Sequence, residues 1–414
     1  MNTGRALHSP RLLLMALTLA GLGAFILLPS LATKLGIASY GRWFLDSYAV
    51  LASNDAVRAH LDPLAPNPLD DLHREHVYSD WWFALGKVGF TRANNFLVGG
   101  AWVLGFLAAA WTLLRPAGWR QAIWFALFLL SPPVLLAVMR GNNDLVIFAL
   151  LAVAVLGLRP TGNLRVAVAL AAIVLATGLK FYPAVAAGVF LLVRPVRRLG
   201  VLLPIASVAV ALTLTDVWSA LGRGVIAMPL TVHTFGAPIL LRDLGLENRG
   251  AWLFALSLLA VAALWLTRSG RTTGLAAPEG DLTERAAFLV GALVLLACFV
   301  AGTSFGYRWI FALLLTPWLW SQAHEATLAV RSRRIAAFAG ALLLAVVWMD
   351  GLLCLVVNQF FLPAAPATLD RWQHLWRVTT QPLVWLLMTL LAGWLLELLG
   401  ATWREARSAG RSAG

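Results

Sequence analysis

Runs of near-continuous apolar residues, each close to twenty residues long or somewhat shorter, recur along the whole chain and are separated by short polar stretches. Such runs match the length of a helix that spans the hydrocarbon core of a bilayer. The pattern predicts an all-α polytopic membrane protein with about twelve membrane segments: 11–31, 94–114, 120–138, 144–158, 166–179, 181–193, 199–215, 250–267, 286–302, 308–322, 335–356 and 380–402. Segments 166–179 and 181–193 are too short for a simple crossing, so tilted, broken or re-entrant geometry is expected there. Residues 1–403 read as one transmembrane domain, with 404–414 a short basic tail. Three longer polar segments, 32–93, 216–249 and 357–379, fall on one side. In the first, Phe44 to His60 and Val77 to Phe90 are amphipathic enough to lie in the interface as short helices.

Composition agrees. Hydrophobic residues make up 60% of the 414 positions and charged residues 12%, about half the charged share of a soluble domain. The net charge of +13 then reads as cytoplasmic arginine and attraction to anionic lipid rather than as a nucleic-acid surface. Arginines crowd alternate short loops: Arg115 and Arg120; Arg159 and Arg165; Arg194, Arg197 and Arg198; Arg268, Arg271 and Arg285; Arg331, Arg333 and Arg334. This asymmetry predicts both termini in the cytoplasm of a bacterial inner or plasma membrane, with the three long segments outside. The nineteen tryptophans are expected mainly in interfacial belts. The two cysteines, Cys298 and Cys354, lie in apolar spans and suggest neither a disulfide framework nor thiol chemistry.

Four polar motifs break the apolar pattern, and the topology puts all four outside: Leu45-Asp46-Ser47-Tyr48, Arg140-Gly141-Asn142-Asn143-Asp144, Leu179-Lys180-Phe181-Tyr182-Pro183 and Gly306-Tyr307-Arg308. Arg140, Lys180 and Arg308 each sit in a short outer loop, where the positive-inside tendency disfavours a cation. Snorkelling to headgroups or pairing with acids explains any one of them. Three together favour convergence on a buried anion such as a lipid phosphate. Asn143 and Asp144 cap the helix that follows them, beside an arginine. The acids of the first outer segment, Asp46, Asp55, Asp62, Asp70, Asp71, Glu75 and Asp80, are expected to be mostly solvated. Asp46, beside Trp43, Phe44 and Tyr48, is the leading candidate for a base tuned by partial burial, and Asp80, between Tyr78 and Trp81-Trp82, is the alternative. No metal-ligand spacing, phosphate-binding loop or dinucleotide fingerprint occurs. No cofactor is required by this reading, although a divalent cation at Asp46-x-Tyr48 stays open.

These motifs resemble those of the C-type glycosyltransferases, membrane enzymes that use polyprenyl-phosphate sugars, and most closely glycosyltransferase family 87. Asp46-Ser47-Tyr48 with Asp62-Pro63 looks like the family's Asp-x-x-Tyr region and downstream polar-Pro pair. Gly141-Asn142-Asn143-Asp144 is similar to its Gly-Gln/Asn-x-Asn turn, though it reads Asn-Asn-Asp here. Gly178 to Pro183 looks like its Lys-x-Tyr-Pro motif, and Tyr307-Arg308 resembles a later Tyr-Arg pair. The likeness covers residues 40–195 and is diffuse beyond. It implies a transferase that moves a mannose-like or glucose-like hexose from a polyprenyl-phosphate donor to a glycan or glycolipid acceptor, with inversion. Asp46 would be the base, Arg140, Lys180 and Arg308 the phosphate ligands, and Tyr48, Asn142, Asn143, Asp144, Tyr182 and Tyr307 the supporting residues. A transporter or lipid flippase, and an outward-facing glycan polymerase or ligase, are the competing classes. The first would show internal repeats and the second a large late loop; neither is apparent.

Overall fold

The computed structural model describes residues 9–37, 42–158, 163–192, 198–213, 234–246, 249–268, 281–360 and 366–412. It is predominantly helical. Among the described residues, five helical stretches are long and apolar enough to cross a membrane: Pro10–Leu27, Arg92–Leu113, Leu282–Ala301, Val330–Val357 and Arg371–Leu398. A sixth crossing is available if the bent pair Trp119–Leu129 and Pro132–Arg140 counts as one. Shorter apolar helices, Asp144–Gly157 and Asn163–Leu179 among them, complete the bundle. The all-α membrane architecture expected from the hydrophobic pattern is therefore the one observed; the long helices number fewer than the twelve segments expected.

The helices that position the site are α1 (Pro10–Leu27), α2 (Pro29–Lys34), α3 (Leu45–Arg58), α4 (Ala84–Lys87), α5 (Asn95–Leu113), α6 (Trp119–Leu129), α7 (Pro132–Arg140), α8 (Asp144–Gly157) and α9 (Asn163–Leu179). Segment 120–138, expected to be one span, is two helices bent by 55°. Pro132 and Pro133 cause the break: Ser131 takes the extended conformation that precedes proline, and neither proline has an N–H with which to continue the α6 ladder. Segment 181–193 is also not α-helical. Tyr182–Leu192 winds as a 3-10 helix, as does Gly306–Leu314 at the start of the expected span 308–322. At about 2.0 Å rise per residue against 1.5 Å, this winding lets eleven residues reach roughly 22 Å. The expected loop 357–379 is instead largely helix: one helix runs through Val330–Phe360 and the next covers Pro366–Ser412. Several tryptophans are core residues rather than belt residues. Trp318 and Trp394 flank Phe288, with ring centroids 4.0 and 5.9 Å away.

The first polar segment folds back onto the helix ends. α3 is buried along most of its length, so its contacts are with the rest of the protein on nearly all sides. Asn54 fixes the next stretch to it: its amide donates to the Val50 and Trp82 carbonyls at 2.8 and 3.2 Å and its oxygen accepts from the Gly86 N–H at 2.7 Å. Residues Asp80–Phe83, a short 3-10 helix, then dock on the end of α9. The Trp82 indole donates to the Leu179 carbonyl at 3.1 Å, and the Trp81 ring lies flush on Gly178, where a Cβ would meet it at 2.1 Å.

That contact gives a prediction. Gly178→Val should destabilise the protein by about 1–3 kcal/mol through overpacking, read as a lower thermal unfolding midpoint in detergent, and Trp81→Ala should recover part of the loss. An unchanged midpoint in Gly178→Val would rule out this docking.

Candidate active site

Asp46 stands in the first turn of α3 because the chain reverses just before it. Phe44 adopts a left-handed conformation (φ 62°), and its N–H donates to the Met139 carbonyl at 2.8 Å. Gly141, also left-handed (φ 54°), ends α7 where a Cβ would crowd Phe44 at 3.0 Å. The two turns thus bring the start of α3 against the end of α7. Arg140 grips Asp46 in a two-pronged pair, Nε to Oδ2 at 2.9 Å and a terminal nitrogen to Oδ1 at 2.6 Å. The Asn142 amide adds a third donor to Oδ2 at 2.6 Å. Arg74, paired with Asp70 at 2.7 and 2.8 Å, comes within 3.7 Å of Asp46 from the other side.

The network continues through Asn142, whose side-chain oxygen accepts from the Asp144 N–H at 2.9 Å. Asp144, in the first turn of α8, pairs with Lys180 and accepts from the Tyr182 hydroxyl at 2.7 Å. Lys180 follows the last residue of α9, and Tyr182 opens the 3-10 helix beyond it. The Arg308 guanidinium lies 5.0 Å from the centre of the Tyr182 ring. Arg308 and the buried Tyr307 open the second 3-10 helix. Its approach is set by a two-residue antiparallel pairing, Thr234 with Phe305 and Phe235 with Ser304. Phe305 in turn faces the Arg140 guanidinium at 5.5 Å. The four motifs, distant in sequence, form one contiguous polar cluster.

Its charge does not balance. Three carboxylates (Asp46, Asp70, Asp144) face four cations (Arg74, Arg140, Lys180, Arg308). Arg140 and Lys180 are committed to Asp46 and Asp144, whereas Arg308 has no carboxylate within ion-pair distance among the described residues. Buried hydrogen-bonding capacity is also left over: Arg308 Nε, both amide atoms of Asn143 and Asp144 Oδ2 have no partner among the described residues. A buried group of this kind costs free energy unless something fills it.

Other expected residues fall elsewhere. Tyr48 is buried, but its hydroxyl goes to Asp71 at 3.0 Å and its ring takes Arg42 at 4.0 Å, so it does not contact Asp46. Asp80 is exposed at the start of its 3-10 helix, outside the buried cluster. Asp62 is exposed and caps its own turn through the Leu64 N–H at 2.9 Å. Asp46 is buried, 3% exposed, beyond the partial burial expected of it, and the expectation of solvated acids elsewhere in the segment fails at Asp70, 2% exposed; each has an arginine to pair with. Arg74 is not among the residues the sequence pattern singles out, and its four-residue spacing from Asp70 is the available signal for the pair. Among the described residues no group of three or more histidine, cysteine or acidic side chains is arranged to hold a metal ion.

Burial alone would raise the pKa of Asp46, but Arg140, Asn142 and Arg74 outweigh it and hold the carboxyl below its usual range. For Asp70, burial is likewise outweighed, by Arg74. A depressed folded-state pKa adds stability that is fully present above the unfolded value, about 3.9, and is lost as pH falls through the folded one. The unfolding midpoint should therefore fall steeply as pH drops from about 5 to about 2, and Asp70→Asn should flatten that dependence. An identical pH profile in the variant would refute the assignment.

Compared with family models, curated proteins and solved structures, the chain finds no match.

Proposed function

We propose that the protein is a membrane glycosyltransferase that moves a hexose from a polyprenyl-phosphate donor to a glycan or glycolipid hydroxyl, in the manner of glycosyltransferase family 87. The observation that carries this reading is the surplus cation. A cluster with four positive groups against three carboxylates, and with Arg308 Nε unpartnered, suits an anionic ligand in a low-dielectric site. The phosphate would sit first on Arg308, with Lys180 and Arg140 drawn toward it from their aspartates.

Asp46 is the base. The acceptor oxygen attacks the anomeric carbon from the face opposite the phosphate, and its proton passes to Asp46. The bond from the anomeric carbon to the phosphate oxygen breaks, its electron pair stays on the phosphate, and the sugar inverts. Three donors already occupy the Asp46 oxygens, so the acceptor hydroxyl must displace one, and Arg140 moving to the phosphate frees the lone pair. The cations stabilise the charge that develops on the leaving group. No nucleotide and no cofactor enters this scheme.

The same reading takes the shorter helices and the 3-10 runs as further crossings, toward twelve membrane segments. It places both termini in the cytoplasm and the cluster at the outer face of an inner or plasma membrane. One observation favours a second reading, a lipid or glycan transporter: the bent pair α6–α7 and both 3-10 helices meet at the cluster, as discontinuous helices do at transport sites.

Transfer assayed in membranes from a polyprenyl-phosphate hexose separates the two. Asp46→Asn, purified with unchanged elution, should lower transfer by about 10²–10⁴-fold; retained transfer would remove Asp46 as the base. Arg308→Gln should raise the donor KM more than it lowers kcat, and Lys180→Ala should also weaken donor use. Vectorial movement of the lipid with no sugar transfer would select the transporter.

A further inference from the structure

The opposite end of the bundle holds a second candidate site that the transferase chemistry does not use. A cavity of about 340 Å³ opens between the beginning of α1 and the end of α5, lined by Arg11, Leu14, Met15, Ala108, Trp111 and Thr112, with Leu114 and Arg115 at its edge. That volume lies at the lower end of the range for small-ligand sites. α1 and α5 pack against each other in opposite directions. Asn95, at one end of α5, hydrogen-bonds Ser47 next to Asp46, at 2.7 Å, whereas Leu113 ends α5 at the cavity. The nineteen residues of α5 separate the two by about 28 Å, close to the thickness of a hydrocarbon core. The cavity and the charged cluster therefore face opposite leaflets.

Its lining is amphipathic in a particular way. Two arginines line it, Arg11 from α1 and Arg115 from the stretch just after α5. Trp111 keeps its indole N–H buried with no hydrogen-bond partner among the described residues. The apolar part of the lining comes from Leu14, Met15 and Ala108. Beyond the cavity, the outer surfaces of α1 and α5 present exposed Leu12, Leu19 and Leu104, which suit acyl chains. Arg115 also borders a smaller cleft containing Asp281 and Glu284 and donates to the Thr112 carbonyl at 3.0 Å, so its position is held by the protein and does not depend on a ligand.

We propose that this cavity binds the phosphate of an anionic phospholipid from the leaflet opposite the catalytic cluster, with Arg11 and Arg115 on the phosphate, the Trp111 N–H on a headgroup oxygen, and the acyl chains along α1 and α5. Positive charge at this end of the bundle matches the anionic surface of a cytoplasmic leaflet. A free phosphate would satisfy the arginines but would leave the apolar lining and the exposed leucines without a partner. The site is independent of the transferase reading.

The test uses the whole protein in detergent, with the thermal midpoint measured on adding phosphatidylglycerol, phosphatidylcholine or inorganic phosphate, and bound lipid counted by native mass spectrometry. Phosphatidylglycerol should raise the midpoint by about 2 °C or more, with little effect from phosphatidylcholine or inorganic phosphate. Arg11→Gln/Arg115→Gln should weaken phosphatidylglycerol binding roughly tenfold or more, and Trp111→Phe should weaken it less. Ala108→Phe, which fills the cavity and removes no charge, should abolish the response and covers the case in which the arginine variant fails to fold. Equal responses to the two phospholipids, an undiminished response in Ala108→Phe, or an equal response to inorganic phosphate alone would overturn the proposal.

Discussion

The ion pair between Asp46 and Arg140 is the interaction on which the rest of the site depends. Both groups are largely withdrawn from water, and an uncompensated charge there would cost several kcal/mol. That cost dictates the geometry around it. The left-handed turn at Phe44, the glycine at 141 and the Asn142 side chain all serve to bring three donors onto one carboxylate. Helix α3 is held in place by its packing and by this pair, and so the first polar segment becomes part of the bundle rather than a covering loop.

A second constraint follows from the first. Charges can be buried in such a bundle only as a network, so Asp144 takes Lys180 and Tyr182, and Asp70 takes Arg74. Arg308 completes the cluster without a carboxylate of its own among the described residues. In such a cluster two cations are held by aspartates, and among the described residues one has no carboxylate at ion-pair distance. The 3-10 helices beginning at Tyr182 and Gly306 start where the functional side chains are needed and then run on as tightly wound apolar segments. Their winding trades hydrogen-bond quality for reach.

The two ends of the bundle carry different chemistry. At one end, charges are buried and paired among themselves. At the other, arginines stand at the surface around an apolar cavity, where headgroup and acyl chain can both be satisfied. The same residue type serves both ends because a guanidinium binds carboxylate and phosphate with equal ease, and burial decides which partner it has.

Much of this was legible in the sequence. Hydrophobic runs of near-membrane length and a low charged fraction determine a helical membrane protein, since no other fold hides so much apolar surface. Arg140, Lys180 and Arg308 stood out as cations in apolar surroundings, and Asp46 as an acid among aromatics, because each violates the local pattern. Local pattern could not show which acid meets which cation. Asp70 looked solvated, yet it is buried by Arg74; Tyr48 looked like a partner of Asp46, yet it turns to Asp71. Nor could it show that segment 120–138 is bent or that 181–193 winds as a 3-10 helix. Those outcomes depend on contacts between residues up to about a hundred positions apart, such as the 94 that separate Asp46 from Arg140. Sequence alone determined that charges had been placed where they cost free energy; only the tertiary structure decided how they offset one another, because pairing energy depends on distance and burial and not on order along the chain.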